Sequence, residues 1–197
     1  MKGANITGGQ SFRGRAEDDF YATNPVDVER FLKVYGQING TVLEPCIGQG
    51  HIAKVLQAKC NVVIRGIDIK ERKSGFKTKI TDFLTYNDCN EVYDYVITNP
   101  PYSLAEEFIR KSFTCIKQSG KVIMFLKLQF LEGSGRQKLF NEFPPKFIYV
   151  CRKRAQPLRM GSEIDPTTGK KWKSSTICFA WFVWEKGFNG EPTVRWC

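Results

Sequence analysis

Histidine and regularly spaced cysteines are scarce in this sequence. His51 is the only histidine, so acid–base chemistry centred on histidine and metal binding by several histidines have almost no support. The seven cysteines are odd in number and include no Cys-x-x-Cys pair, which argues against a disulfide framework and against a zinc site. We therefore expect no bound metal, and we expect most cysteines to be buried as small apolar residues.

Long apolar runs are also absent. No stretch approaches the roughly 18 apolar residues that a membrane span requires, and the polar start lacks the apolar core of a signal peptide. We expect a soluble, cytoplasmic protein that has no membrane partner. Apolar residues make up 42% of the chain and aromatic residues 13%, which is enough for one core. Residues 1–18 are predicted to be a flexible basic leader, and residues 19–197 a single domain.

Strands and helices alternate along the chain. This pattern predicts an α/β fold with a doubly wound, Rossmann-like sheet that is mostly parallel. One helix is expected to begin at Pro25 behind a Thr23 or Asn24 cap, and another to span Leu104 to Ile116 behind Ser103. Strands are predicted near residues 41–46, 61–68, 77–80, 94–98, 121–127, 147–151 and 176–184, with helices in most of the gaps.

The tetrapeptide Asn99-Pro100-Pro101-Tyr102 follows the apolar strand 94–98 directly. It therefore falls at the carboxyl end of a strand, where open α/β sheets bind ligands. The two prolines fix φ and remove two backbone donors, which leaves the Asn99 side-chain oxygen and the Pro100 carbonyl as converging acceptors for an NH₂ group. The Tyr102 ring offers a face on which a flat group can stack. These four residues are the predicted catalytic residues.

Two further strand ends carry candidate ligand-binding residues. The first predicted strand runs into the loop Glu44 to Gly50, whose glycines permit a tight turn and a close approach to a ligand. Ala53 stands where a dinucleotide fingerprint would have its third glycine, so no pyrophosphate need be bound. The next strand ends in Asp68, a position from which a carboxylate can accept from a ribose diol. Asp82, which Phe83 follows, is a further candidate, and either aspartate could instead cap a helix or turn.

Together these segments resemble the adenine-N6 methyltransferases, a family of S-adenosylmethionine-dependent class I methyltransferases. The Asn99–Tyr102 turn resembles their motif IV and the Glu44–Gly50 loop their motif I; Asp68 and Asp82-Phe83 resemble motifs II and III, and residues 19–25 resemble motif X. The order of the motifs resembles that of γ-type enzymes. The residues that this resemblance assigns to the cofactor S-adenosyl-L-methionine are Tyr21, Thr23, Glu44, Pro45, Cys46, Gly48, Gly50, Asp68, Ile69, Asp82, Phe83 and Asn99.

The resemblance implies further expectations. Class I methyltransferases insert an antiparallel strand near one edge of the sheet, and the long apolar segment 176–184 is consistent with it. Glu44 would lie near the cofactor's ammonium group, Asp68 on its ribose, and Asp82 and Phe83 at its adenine. γ-Type enzymes usually carry a sizeable target-recognition domain after the catalytic domain. This sequence does not include one, so we expect only a modest sequence preference.

The formal charge of +10 is concentrated near the end of the chain. Segment 152–175 is rich in basic residues, contains an aromatic residue, and lies between the last two predicted strands. Such a loop can follow phosphates and stack on a base, so we predict a nucleic-acid-binding insertion, with DNA as the partner. A solvated mobile loop is the alternative. The candidate contacts are Arg152, Lys153, Arg154, Arg159, Lys170, Lys171, Trp172 and Lys173.

The sequence thus predicts methyl transfer to the N6 amine of adenine in DNA. The target base would be extruded from its stack beside Tyr102, and Asn99 and Pro100 would accept from its amine. Similar Asn-Pro-Pro-aromatic turns occur in enzymes that methylate guanine amines in RNA and glutamine amides in release factors. An RNA adenine or guanine methyltransferase, a protein-glutamine methyltransferase and a non-catalytic nucleic-acid-binding subunit therefore remain as alternatives.

Overall fold

The structure is a computed structural model that describes residues 21–165, 167–172 and 176–197. Its strands are β1 (Tyr21–Ala22), β2 (Asn39–Pro45), β3 (Asn61–Asp68), β4 (Thr78–Ile80), β5 (Tyr93–Thr98), β6 (Ile116–Lys127), β7 (Phe147–Val150), β8 (Leu158–Arg159), β9 (Phe179–Glu185) and β10 (Thr193–Trp196). Its α-helices are α1 (Pro25–Tyr35), α2 (His51–Lys59), α3 (Ala105–Cys115) and α4 (Gln137–Glu142).

Eight of these strands form one sheet in the order β10-β7-β9-β6-β5-β2-β3-β4. Strand β9 is antiparallel to both of its neighbours, β6 and β7, and the other neighbours in the sheet are parallel. Strands β1 and β8 form a separate antiparallel pair. The predicted α/β fold, with its mostly parallel sheet and one antiparallel strand near an edge, is confirmed.

Alternate residues of the central strands divide the core into two layers. In β6, Met124 packs into one apolar cluster and Phe125 into the other, because successive side chains of a strand point to opposite faces. Helices α1 and α2 cover the face that includes Phe125, and helices α3 and α4 cover the face that includes Met124. The sheet is therefore covered on both faces, as parallel strands require.

Helix α1 begins as its sequence predicts. The Asn24 side chain accepts a hydrogen bond of 3.1 Å from the Val26 amide, and Pro25 occupies the first turn. Its apolar face buries Val28 and Phe31 in the core. The helix amino terminus thereby lies next to β1, on the side of the sheet where the strands end.

Several local predictions are wrong. Ser103 does not cap α3: it lies inside a single 3₁₀ turn, Tyr102–Leu104, and no side chain caps the helix. Segments 69–77 and 86–92 contain no helix, and a short 3₁₀ turn over Phe83–Thr85 is the only helical segment between β4 and β5. Strands β8 and β10 were not predicted, since they are only two and four residues long.

The cysteines also depart from expectation. Cys89 and Cys115 are buried and joined by a disulfide, although 26 residues separate them and no spacing signal predicts the pair. Backbone bonds from Glu91 to Thr114 and from Val92 to Cys115 bring the two segments together. The remaining five thiols are free, and Cys178 is exposed while the other four are half-buried. The prediction that most cysteines are buried is therefore wrong.

No helix in the described ranges is long and apolar enough to cross a membrane. Nor does that part of the chain bring three or more histidine, cysteine, aspartate or glutamate side chains together in a way that could hold a metal ion.

Candidate active site

A cleft opens where the carboxyl ends of β2, β3 and β5 meet β1. Parallel strands end at a common edge, and at this edge the loops that follow them converge on one space. Most of the predicted catalytic and cofactor-binding residues lie here. The cleft is lined by Tyr21, Ala22, Thr23, Glu44, Cys46, Ile47, His51, Ile52, Asp68, Ile69, Arg72, Asn99, Pro100, Pro101 and Tyr102.

The loop after β2 is held in a conformation that suits glycine. Gly48 and Gly50 both have positive φ, and a Cβ on Gly50 would lie 2.7 Å from the Ser74 carbonyl oxygen. Cys46 also has a positive φ, of 88°, which is uncommon for a residue with a side chain. The loop therefore stores backbone strain next to the cleft, as functional sites often do.

Asp68 fixes this loop to the end of β3. Its Oδ2 accepts a hydrogen bond of 2.8 Å from the Gly48 amide, and its Oδ1 accepts one of 3.0 Å from the Lys70 amide. The Arg72 guanidinium lies 3.5 Å from Oδ1. Because each carboxylate oxygen has two lone pairs, Asp68 can hold the loop and still accept from a ligand hydroxyl.

Three buried polar atoms around the cleft have no hydrogen-bond partner within the described residues. They are Oγ1 of Thr23, Oε2 of Glu44 and Nδ1 of His51. Buried polar atoms in proteins are normally paired, and leaving one unpaired costs about 1–3 kcal/mol. Three such atoms around one space indicate a site built for a polar ligand.

Glu44 is the most deeply buried of the carboxylates at the cleft, with 2% of its surface exposed. Burial raises the pKa of Glu44 well above its usual value, and the neighbouring Asp68 charge adds to the rise, while a hydrogen bond from the Ala53 amide opposes it. Burial likewise raises the pKa of the Cys46 thiol, together with the charges of Asp68, Glu44 and Asp82. A cation beside Glu44 would favour the charged carboxylate and oppose this rise in pKa.

Asn99 has a defined orientation at the end of β5. Its side-chain nitrogen donates a hydrogen bond of 2.8 Å to the backbone carbonyl of Tyr21. A carbonyl can only accept, so the NH₂ end of the amide must face Tyr21 and the Oδ1 end must face away from it. Before it, Thr98 donates from its hydroxyl to the carbonyl of Pro45, which ties the ends of β5 and β2 together.

Tyr102 lies at the mouth of the cleft with two neighbours around its ring. The Phe179 ring centroid is 6.1 Å from that of Tyr102, and the Lys127 ammonium nitrogen lies 4.6 Å from the Tyr102 centroid. The ring is half-buried. It therefore presents an aromatic surface beside the Asn99 amide.

Five of the predicted cofactor residues do not line the cleft. Pro45 accepts from Thr98 and Gly48 donates to Asp68, as described above. Gly50 packs against the Ser74 carbonyl. Asp82 is exposed and caps the turn that follows it, accepting 2.9 Å from the Leu84 amide. The Phe83 ring is 2% exposed and packs in the core against Phe108, with 5.1 Å between the centroids.

The described part of the predicted basic loop packs against the cleft. Strand β8 pairs with β1, which places Arg159 opposite Tyr21. Gly161 packs so closely on the Gln49 side chain that a Cβ there would clash. The Gln156 backbone also lies near the buried Asp27 carboxylate of α1. The described part of the loop therefore packs against β1 and against the Glu44–Gly50 loop.

The basic side chains of this loop differ in exposure. Arg152, Lys153, Arg154, Lys170 and Lys171 are exposed. Arg159 is half-buried with its guanidinium 5.2 Å from the Trp172 centroid, and Trp172 donates 3.0 Å to the Ser162 carbonyl. Trp172 thus joins its own segment of the loop to the segment that contains Arg159 and Ser162. Lys173 and the leader 1–18 lie outside the described residues.

Sequence reasoning missed several residues around the cleft. Ile47, His51, Ile52 and Arg72 line it, and Lys127 reaches the Tyr102 ring. His51 could have been found as the first helical residue after the glycine loop. Lys127 ends its strand at the same edge as Asp68 and Asn99, and the rule that identified those two residues applies to it as well.

Solved structures share this fold. The chain is similar to a Pyrococcus horikoshii protein described as an RNA methyltransferase, with a TM-score of 0.59, 13% identity and coverage of 83% of each chain. It is similar to the N-methyltransferase NodS of Bradyrhizobium japonicum, with a TM-score of 0.54, 11% identity, and 82% of this chain and 93% of that chain covered.

A third similarity is to a modification subunit described for a type I restriction enzyme of Vibrio vulnificus. Here the TM-score is 0.58 and the identity 14%, and the match covers 88% of this chain but 45% of the other. No protein-family model and no curated protein matches the chain. At these identities the comparisons establish the fold, which is that of the class I methyltransferases.

Proposed function

We propose that this protein transfers a methyl group from S-adenosyl-L-methionine to the exocyclic N6 amine of adenine in DNA. The observation that carries the proposal is the orientation of Asn99. Its NH₂ end is bound to the Tyr21 carbonyl, so its Oδ1 end is available to accept from an amine, beside the Tyr102 ring and at the cleft that the class I fold forms.

The cleft fits the cofactor in its donors and acceptors. Glu44, buried with one oxygen unpartnered, suits an ammonium group, and Asp68 at the strand end suits the ribose hydroxyls. The strained loop from Cys46 to Gly50 brings backbone close to the cleft. When bound, S-adenosyl-L-methionine supplies a methyl group activated by a sulfonium. Asp82 and Phe83 are weaker candidates, because neither side chain lines the cleft.

Two acceptors would act on the target amine. The Asn99 oxygen and the Pro100 carbonyl each take one hydrogen bond from the NH₂ group, which draws the nitrogen lone pair out of conjugation with the ring. Positive charge then develops on the nitrogen, and the two oxygens stabilise it until the nitrogen releases one proton to water. The gain comes from alignment and from preorganised dipoles, so no shifted general base is required.

The target base must leave its stack to reach these oxygens. The Tyr102 ring would replace the lost stacking, which is worth about 1–3 kcal/mol per base. The exposed cations of the loop between β7 and β9 would hold the phosphates on either side. Because this loop is built onto β1, a bound nucleic acid would lie next to the same cleft that holds the cofactor.

One experiment tests the proposal directly. The protein is incubated with S-adenosyl-L-methionine carrying a labelled methyl group and, separately, with DNA, RNA and protein pools, and each pool is digested to monomers. We expect label in N6-methyldeoxyadenosine from DNA. Label only in RNA or protein monomers would refute the DNA assignment, and no label in any pool would refute the enzymatic one.

RNA is the second candidate substrate. The Pyrococcus horikoshii neighbour is described as an RNA methyltransferase, and a basic loop with one aromatic residue suits single-stranded RNA as well as DNA. In the same digest, N6-methyladenosine or an N-methylguanosine from the RNA pool would support this candidate. A protein-glutamine acceptor and a non-catalytic role are the remaining alternatives; basic charge disfavours the first and the oriented Asn99 amide disfavours the second.

A further inference from the structure

Lys127 is a half-buried cation at the proposed target pocket. It is the last residue of β6, three positions beyond Met124, which pairs with Thr98, so it stands at the sheet edge where the Asn99 turn begins. It lies opposite Phe179 on β9, and residues directly opposite each other share one face of a sheet. Both side chains accordingly reach the Tyr102 ring.

The Lys127 ammonium has no counter-ion in the described part of the chain. No carboxylate there lies within 4.0 Å of it, and the Tyr102 ring is its contact, with 4.6 Å to the centroid. An ammonium group carries three donors, and here no carboxylate takes any of them. An unpaired ammonium beside a site for a nucleic acid therefore has an unused capacity to bind an anion.

The ammonium also covers one face of the Tyr102 ring. A base that stacked on that face would have to displace it. Lysine has a flexible four-carbon stem and three donors, so it can leave the ring and follow an anion without moving the backbone.

We propose that Lys127 binds a phosphodiester oxygen that flanks the extruded nucleotide, and that it occupies the Tyr102 ring only until the base arrives. The inference rests on the proposed function for the identity of the ligand. A phosphate fits better than a base edge, because an ammonium is a compact point charge and each extruded nucleotide brings a phosphate on either side. Lys127 is thus a positioning residue for the target nucleotide.

The test compares Lys127→Met with Lys127→Arg and with Lys121→Met. Lys121 is the matched control: it lies six residues earlier on the same strand, 5.7 Å over the Tyr95 ring, and is paired with Glu185 instead. The probes are duplex oligonucleotides that contain the adenine found methylated in the pool experiment. In each probe, one phosphate near that adenine is replaced by a neutral methylphosphonate. Cofactor affinity, measured by calorimetry, verifies that every variant is folded.

One methylphosphonate should lower the wild-type kcat/KM by about tenfold to a hundredfold, the range for a hydrogen bond to a charged group. Lys127→Met should lower kcat/KM by a similar factor on the unmodified duplex and should be insensitive to that replacement. Lys127→Arg should retain most activity, and Lys121→Met should behave as wild type. If Lys127→Met stays as sensitive as wild type to every methylphosphonate, the proposal is wrong.

A second measurement separates this proposal from the proposed function. The DNA affinity of each variant is measured against salt concentration. Lys127→Met should reduce the logarithmic slope by about 0.9, the value for one lost phosphate contact on duplex DNA, while Lys121→Met leaves it unchanged. If no DNA is methylated, the duplex with the tightest wild-type binding replaces the substrate here, and an unchanged slope for Lys127→Met overturns the phosphate contact.

Discussion

The side chain of Asn99 and the backbone of Tyr21 are joined by one hydrogen bond of 2.8 Å, across 78 residues of sequence. Tyr21 belongs to β1, and β1 is held by β8 from the basic loop. The segment proposed to contact phosphate therefore also supports the strand that orients the amide. In the proposed function, binding at the loop and acceptance of the target amine would therefore be connected through two short strands.

Asn99→Ala should lower kcat by about 100-fold or more, the magnitude seen when one preorganised group at a developing charge is removed. Cofactor affinity should change little, because the proposed contacts of Asn99 are with the target amine and Tyr21. Single-turnover methylation and calorimetry measure the two quantities. Asn61→Ala, at an exposed position at the start of β3, is the control and should match wild type. A variant at position 99 that loses cofactor affinity but keeps its turnover would contradict the assignment.

Tyr102→Ala should reduce kcat/KM by about 5- to 150-fold, which corresponds to 1–3 kcal/mol of lost stacking. Tyr102→Phe should cost much less, because stacking requires the ring and not the hydroxyl. Steady-state kinetics on one DNA substrate compare the two variants. If phenylalanine is as damaging as alanine, the hydroxyl is the functional group and stacking is the wrong explanation.

Glu44 should make cofactor binding depend on pH. Burial raises its pKa in the free protein, and a neighbouring ammonium favours the carboxylate, so cofactor binding should release a proton and affinity should rise with pH until the raised pKa is passed. Glu44→Gln should weaken binding by about 1.5–3 kcal/mol above that pKa and remove the pH dependence. Calorimetry in buffers of different ionisation enthalpy counts the protons.

Glu44 should also affect the stability of the cofactor-free protein. Cofactor affinity rises with pH, whereas the contribution of Glu44 to stability falls. A carboxyl whose pKa is raised by folding stabilises the protein below its unfolded value of 4.5, and this contribution is lost as pH rises through the folded pKa. Glu44→Gln should therefore raise the melting temperature of the cofactor-free protein at neutral pH. Glu107→Gln, on the exposed side of α3, should change neither the cofactor affinity nor the melting temperature. Equal melting temperatures for Glu44→Gln and wild type would show that Glu44 carries no destabilising charge.

Neutralising Arg152 and Lys153 together should weaken DNA binding and flatten its salt dependence by about 0.9 per lost phosphate contact. Both side chains are exposed, whereas Arg154 also donates to the Thr176 carbonyl, so the pair is the cleaner test. The methylated sites should stay the same, since phosphate contacts carry little sequence information. Lys33 and Lys59, near the carboxyl ends of α1 and α2, provide a control pair of equal charge. An unaltered slope would place the DNA surface elsewhere.

Prediction from sequence succeeded where one local rule decides the structure. Apolar strands ending in a polar residue placed Glu44, Asp68 and Asn99 at one edge of the sheet. The rule could not predict the bond between Asn99 and Tyr21, because it depends on the pairing of two-residue strands that have no periodic signal. Nor could it predict the disulfide of Cys89 and Cys115, whose segments meet only in the folded chain.

The position of strand β9 determines when the sheet can form during synthesis. It lies inside the sheet, with β6 on one side and β7 on the other. In the sequence, however, it follows both of them and ends at residue 185. During synthesis β6 and β7 emerge first, and each must wait with an unpaired edge for a strand made later. Such edges readily pair with other chains. The glycine loop and the Asn99 turn thus leave the ribosome long before the sheet beneath them can close, and newly made chains are most exposed to misassembly in that interval.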